Sequence, residues 1–109
     1  MNYLLSIVVP TKDRYYYLKY LIELISSFNT SDIELVIQDN TYDNQEILNY
    51  LNEYLNPHVK YYHIKEHLSQ SENSDKAILN SSGEYVCFIG DDDAVTRHIV
   101  DCVKWMKSN

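Results

Sequence analysis

Residues 84–93 of the chain read EYVCFIGDDD: a short apolar run, Glu84 to Ile89, is stopped by Gly90 and three consecutive acids, Asp91, Asp92 and Asp93. A run of this length, with β-branched and aromatic residues, predicts a buried strand, and the polar residues after it predict a loop at the strand's carboxyl end. Downstream, Ile99, Val100, Val103 and Met106 resume helical spacing. The chain therefore passes from strand through acidic turn into helix.

Upstream the same unit recurs. Leu4 to Val9 (LLSIVV) is short and apolar and ends at Pro10, which is expected to close the strand because proline cannot continue a central ladder. From Tyr15 to Phe28, Leu18, Leu21, Ile22, Ile25 and Phe28 lie at helical spacing, with Thr11 or Asp13 placed to cap the start. Ile33 to Ile37 (IELVI) predicts a second strand, which leads into the polar stretch Gln38-Asp39-Asn40-Thr41. Between Gln45 and Leu55, the stripe Ile47, Leu48, Leu51 and Leu55 predicts a helix closed by Asn56-Pro57. Val59 to Ile64 predicts a third strand. Ser69 to Leu79 predicts a third helix, with serines available as caps and a stop near Ser82-Gly83.

Four strand–helix pairs without a linker imply one α/β domain over residues 1–109, a Rossmann-like three-layer α/β/α sandwich with a mainly parallel sheet. Ligands of such sheets bind beyond the carboxyl ends of the strands. The polar clusters Pro10 to Arg14, Asp39 to Asp43 and Gly90 to Asp93 each follow a predicted strand, so the fold is expected to gather them along one edge. Three adjacent carboxylates repel one another unless a cation or hydrogen-bond donors compensate, and a divalent metal would do so. Asp39 can accept hydrogen bonds from a base or ribose. Pro10-Thr11 can present helix-start N–H groups to a nucleotide, and Arg14 and Lys76 are candidate phosphate neutralisers.

Composition narrows the partners. Sixteen acids against nine Lys and Arg give a net charge of −7 over 109 residues, which disfavours non-specific binding to nucleic acid. The 45% hydrophobic content suffices for one core. No run approaches the roughly twenty apolar residues of a membrane span, and no leader-like segment opens the chain, so the expected compartment is the cytoplasm. Cys87 and Cys102 sit in apolar stretches without a metal-binding or disulfide pattern and are expected to be buried, reduced thiols. His58, His63, His67 and His98 lack zinc-site spacing and are expected on the surface. Tyr15-Tyr16-Tyr17 and Tyr61-Tyr62 are expected to pack or to face solvent rather than to stack on sugars. There is no glycine-rich phosphate loop.

SIVVPTKDR, then ELVIQDN, then SENSDKAILNSSGEYVCFIGDDD, in this order and spacing, resemble the amino-terminal part of a family 2 glycosyltransferase with the GT-A fold. The resemblance covers nearly the whole chain. It implies transfer of a sugar from a nucleotide diphosphate sugar of UDP or GDP type to an acceptor hydroxyl, usually with inversion and with Mg2+ or Mn2+. By the same resemblance Pro10, Thr11 and Asp13 would border the nucleotide, and Asp39 would hydrogen-bond the base. Lys76 would face the donor. The acidic motif would contact ribose and carry the metal, either as Asp91-x-Asp93 or with Asp91 on ribose and Asp92 on metal.

The family's acceptor-binding half, including its general base, is expected beyond residue 109, so a donor-binding fragment with weak or absent transfer is the expectation. A sheet left incomplete would expose apolar surface and favour a homo-oligomer, and membrane association would come only through the missing part. Two other readings compete. One is a non-catalytic nucleotide-binding or interaction module. The other is a phosphoacceptor signalling domain, disfavoured because Pro10-Thr11-Lys12 stands where its acid pair would follow the first strand.

Overall fold

The structure, a computed structural model, describes residues 3–109. Its elements alternate as β1 (Leu5–Thr11), α1 (Tyr15–Ser26), β2 (Ile33–Asp39), α2 (Gln45–Glu53), β3 (Val59–His63), α3 (Gln70–Leu79), β4 (Tyr85–Phe88) and α4 (His98–Ser108). The four strands form one parallel sheet in the order β3-β2-β1-β4. From β1 to β3 the chain steps outward in one direction, and it then returns across the sheet to place β4 on the other side of β1. Right-handed crossovers therefore put α1 and α2 on one face and α3 on the other.

Period-two alternation divides the strand residues between those faces. Leu5, Ile7 and Val9 of β1 and Ile33, Leu35 and Ile37 of β2 join Leu18, Leu21, Ile22 and Ile25 of α1, Ile47 of α2, and Val100 and Val103 of α4 in the main core. On the opposite face Val8 and Val36 meet Ala77 of α3 in a much smaller cluster. The result is the expected three-layer α/β/α sandwich.

Several sequence expectations are corrected. Strand β1 continues through Pro10 to Thr11, which pair with Gln38 and Asp39. The Leu5 N–H bonds toward β2, so by alternation the missing N–H of Pro10 would face β4, whose pairing has already ended at Val8–Phe88. No ladder bond is lost. Neither Thr11 nor Asp13 caps α1: the cap position is Arg14, without a side-chain cap bond, while Asp13 takes the left-handed φ of 57° that turns the chain into the helix. Helix α1 ends at Ser26 and α2 at Glu53, and Leu48, Leu55 and Met106 lie exposed outside the core stripes. Strands β3 and β4 are each shorter than expected. Cys102 is exposed and Cys87 only half-buried, where burial pushes its thiol pKa up. The serine cap of α3 is present: Ser69 Oγ accepts from the Glu72 N–H while the Glu72 carboxylate accepts from the Ser69 N–H.

Candidate functional site

The sheet order reverses between β1 and β4, and crevices of parallel sheets open at such a point, beyond the carboxyl ends of the strands. A cavity of about 930 Å³ lies there, lined by Pro10, Thr11, Lys12 and Arg14 after β1, Asn40 after β2, His67 to Ser71 before and within α3, Asn73 to Asp75 of α3, and Phe88, Gly90, Asp91 and Asp92 at β4. A smaller cavity of about 390 Å³ lies at the strands' amino ends, beside Ile33, Pro57 and His58. It contains none of the acids that mark the carboxyl edge.

Asp91 is the fixed point of the larger cleft. Only 6% exposed, it accepts a 2.7 Å bond from Thr11 Oγ on Oδ2 and is paired at 2.9 Å with Arg14 Nε on Oδ1. Arg14 also reaches Asp92 Oδ2 at 3.2 Å and lies 4.8 Å from the centre of the Tyr17 ring. Asp92 is exposed and keeps its other oxygen out of these bonds. Asp93 turns back, its Oδ2 accepting from the Gly90 N–H at 3.0 Å, and is absent from the cleft lining. Lys12 and His67 meet across the mouth, with Nζ 3.1 Å from Nδ1.

The structure thus brings Pro10, Thr11, Arg14, Asp91 and Asp92 together. Asp13, Asp39 and Lys76 do not line the cleft. Asp13 is exposed, and its N–H donates to Thr41 Oγ at 2.8 Å. Asp39 is wholly buried: Oδ2 accepts from Tyr15 OH at 2.6 Å and Tyr61 OH at 2.7 Å, and Oδ1 from the Thr41 N–H at 3.0 Å. Burial first, and then the bond to Asp39, raises both phenol pKa values and keeps these tyrosines protonated donors. Lys76 lies half-buried in the last turn of α3.

Sequence reasoning treated Tyr15 and Tyr61 as packing residues and passed over Asn40 and Asn73. Asn40 Nδ2 donates to the Ile64 and Glu66 carbonyls and its Oδ1 accepts from the Leu68 N–H, fixing the segment between β3 and α3 as one cleft wall. Asn73 Nδ2 donates at 3.3 Å to both the Thr11 and Gln38 carbonyls, tying α3 to the ends of β1 and β2. The available signal was the position of Asn40 in the polar stretch that closes the second strand.

Among the described residues no three Asp, Glu, His or Cys side chains are grouped to enclose a metal ion by themselves. The chemistry of the donor set nevertheless fits a hard cation shared with a ligand. Mg2+ is commonly held by one or two carboxylates together with substrate phosphates, and both Asp92 and Asp93 retain a carboxylate oxygen outside the bonds above. Asp91 is the poorest candidate, because Thr11 and Arg14 already occupy its oxygens.

A parallel sheet flanked by helices on both faces, with an acid-lined cleft at its switch point, defines the chain as a Rossmann-like α/β domain. The family described as Glycosyl transferase family 2 matches residues 6–109, and the chain belongs to that family. Among solved structures, S. aureus TarS residues 1–349 is similar with a TM-score of 0.77 and 19% identity, over 95% of this chain and 32% of that one. The same segment of TarS in complex with UDP gives 0.75 at 19% identity, again over 95% and 32%. A longer TarS structure gives 0.76 at 20% identity, over 95% of this chain and 19% of that one. At these identities the likeness shows the fold, and the chain spans about a third of the shorter TarS structures. No curated protein matches the chain. No helix among the described residues is long and apolar enough to cross a membrane.

Proposed function

We propose that the cleft binds the nucleoside diphosphate part of a sugar donor, of UDP or GDP type, as the donor half of a glycosyltransferase. The supporting observation is the convergence of Thr11, Arg14, Asp91 and Asp92, from two strands on either side of the switch point, on one cavity. In this reading Asp91, held rigid by Thr11 and Arg14, faces the ribose hydroxyls. Asp92, with Asp93 beside it, would hold Mg2+ or Mn2+ on the diphosphate, and the ion when bound supplies charge neutralisation for the leaving group. Arg14 is close enough to both acids to exchange one of them for a phosphate oxygen. Pro10 and Lys12 border the nucleotide, and Asp39 braces the wall behind it. In the transfer itself an acceptor hydroxyl attacks the anomeric carbon as the bond to the diphosphate breaks. The base for that proton is proposed to lie in the acceptor-binding half of a longer protein.

One observation favours a second reading, nucleotide binding without metal: the Arg14 guanidinium already sits between Asp91 and Asp92 as their cation. Calorimetric titration of UDP and GDP, with and without Mn2+, into the wild type and into an Asp91, Asp92 and Asp93 to Ala variant separates the two. Metal-dependent binding lost in the variant supports the donor site. Metal-independent binding lost in Arg14→Ala supports the second reading, and a folded wild type that binds neither nucleotide overturns both.

A further inference from the structure

We infer that the free edge of β4 pairs with a second copy of this chain, the two β4 strands running antiparallel about a two-fold axis at Cys87 so that both sheets join into one. The inference is independent of what the cleft binds.

The sheet ends in β3 on one side and β4 on the other, and the two edges differ. Strand β3 carries Lys60 and His63, and charged or polar side chains discourage an edge from pairing with another chain. Strand β4 reads Tyr85-Val86-Cys87-Phe88, with neither charge nor proline. The Tyr85 and Ile89 N–H groups donate to the Leu4 and Val8 carbonyls. By period two Cys87 also faces β1, so the N–H and C=O groups of Val86 and Phe88 point away from the sheet and need partners. The side chains repeat the pattern. Helix α3 packs on β1 and β2, and Val86 and Phe88, on the same side of the sheet as Ser6 and Val8, remain 45% and 50% exposed. At the amino end of β4 the Lys107–Glu84 bond brings the exposed Trp105 and Met106 of α4 alongside.

The occupant is a second copy because the edge is complementary to itself. Antiparallel pairing sets residues with outward backbone groups opposite one another, which leaves two-fold registers centred on Val86, Cys87 or Phe88. Centring on Phe88 would set Glu84 against Asp92 of the other copy, two like charges, and centring on Val86 would set Glu84 against Phe88. Centring on Cys87 opposes Val86 to Phe88 and Tyr85 to Ile89, all apolar or aromatic, and leaves Glu84 opposite Gly90. Each Val86–Phe88 pair then exchanges two backbone bonds, and the two Cys87 residues form a non-hydrogen-bonded pair with Cα atoms about 4.5 Å apart. The contact is small, about 1,200 Å² or less, so dissociation at about 10–100 µM is expected.

Sedimentation of the 109-residue chain between about 5 and 500 µM should show a monomer–dimer equilibrium. Val86→Pro deletes the outward N–H without removing a bond to β1 and should raise the dissociation constant at least about 10-fold. Val86→Lys, which keeps the backbone intact, should do the same. A wild type that stays monomeric over this range, or a dimer untouched by both variants, overturns the inference. Growth into longer assemblies would mean pairing of β4 with β3 and overturns it too. In the unsubstituted protein, protection of the Val86 and Phe88 amides from hydrogen exchange should rise with concentration, while the Cys87 amide stays protected throughout. Rates for Val86 and Phe88 that do not change with concentration overturn the assignment to this edge. Copper phenanthroline with O2 should link Cys87 of one copy to Cys87 of the other in the Cys102→Ser protein, within disulfide reach. A sedimenting dimer that yields no such link overturns the register.

Discussion

On one face of the sheet Leu5, Ile7, Val9, Leu35 and Ile37 meet the apolar sides of α1, α2 and α4; on the other, Ser6, Glu34 and Gln38 share the strands with Val8 and Val36 beneath α3. The first face is held by non-directional burial. The second is organised by directional bonds: Glu34 Oε2 accepts from Ser6 Oγ at 2.6 Å, the Ser82 N–H at 2.7 Å and Ser82 Oγ at 2.8 Å, and Ser6 Oγ in turn accepts from the Gly83 N–H at 2.7 Å. Gly83 approaches so closely that an added Cβ would stand 2.6 Å from Ser6 N. Gln38 and Asn73 extend the pattern to the cleft. The difference teaches a division of labour. Burial supplies most of the stability, while the polar face fixes where the segment before β4 and the first turns of α3 stand, and hence where the cleft walls are.

The largest effect is expected on the apolar face. Leu18→Ala, at a position with no exposed surface, should cost about 3–5 kcal/mol in urea unfolding through lost burial and the cavity left behind. Glu34→Ala should cost less, about 2–3 kcal/mol, because it strands the Ser6 and Ser82 donors without opening a comparable apolar void. A reversed order would mean that the polar network, rather than apolar burial, holds the two layers together, and the comparison would break.

Legibility followed the same division. Apolar runs and helical stripes carry strong periodic signals, so all four strands and four helices were visible in the sequence, and with them the edge that gathers Thr11, Arg14, Asp91 and Asp92. Bonds between side chains distant in sequence leave no such signal. Nothing near Asp39 announces that Tyr15 and Tyr61, 24 residues before and 22 after it, will cover its carboxylate. Pro10 misled because a strand's tolerance of proline depends on which neighbour its missing N–H would face, and strand order fixes that. The acidic triplet read as one motif, yet the backbone turns its three side chains to different partners: Asp91 to Thr11 and Arg14, Asp92 to Arg14 alone, Asp93 to the Gly90 N–H.

Asp39 is the exception that sharpens the comparison, because it continues the period-two series Ile33, Leu35, Ile37 on the apolar face and is nevertheless a polar, acidic side chain. Its compensation comes from Tyr15 and Tyr61, whose pKa values burial and the Asp39 bond raise above the ordinary value of 10. The sign follows from linkage: a group that holds its proton more tightly in the folded state contributes stability fully present below its unfolded pKa. That contribution is lost as pH rises through 10 toward the folded value. Stability should therefore be level between about pH 7 and 9 and fall above about pH 10. Tyr15→Phe removes one bond to Asp39 and should cost about 1 kcal/mol at pH 8, the smallest of these effects. The double variant with Tyr61→Phe should lose less further stability than the wild type between pH 8 and 10.5, with the remaining decline assigned to Tyr50, to the Cys87 thiol and to Lys107, whose pKa values are also raised, by burial and Glu23, by burial, and by the bond to Glu84 in turn. Parallel losses in wild type and double variant would show that the two phenols do not carry the alkaline limb, and that the Asp39 carboxylate is compensated by the Thr41 N–H instead.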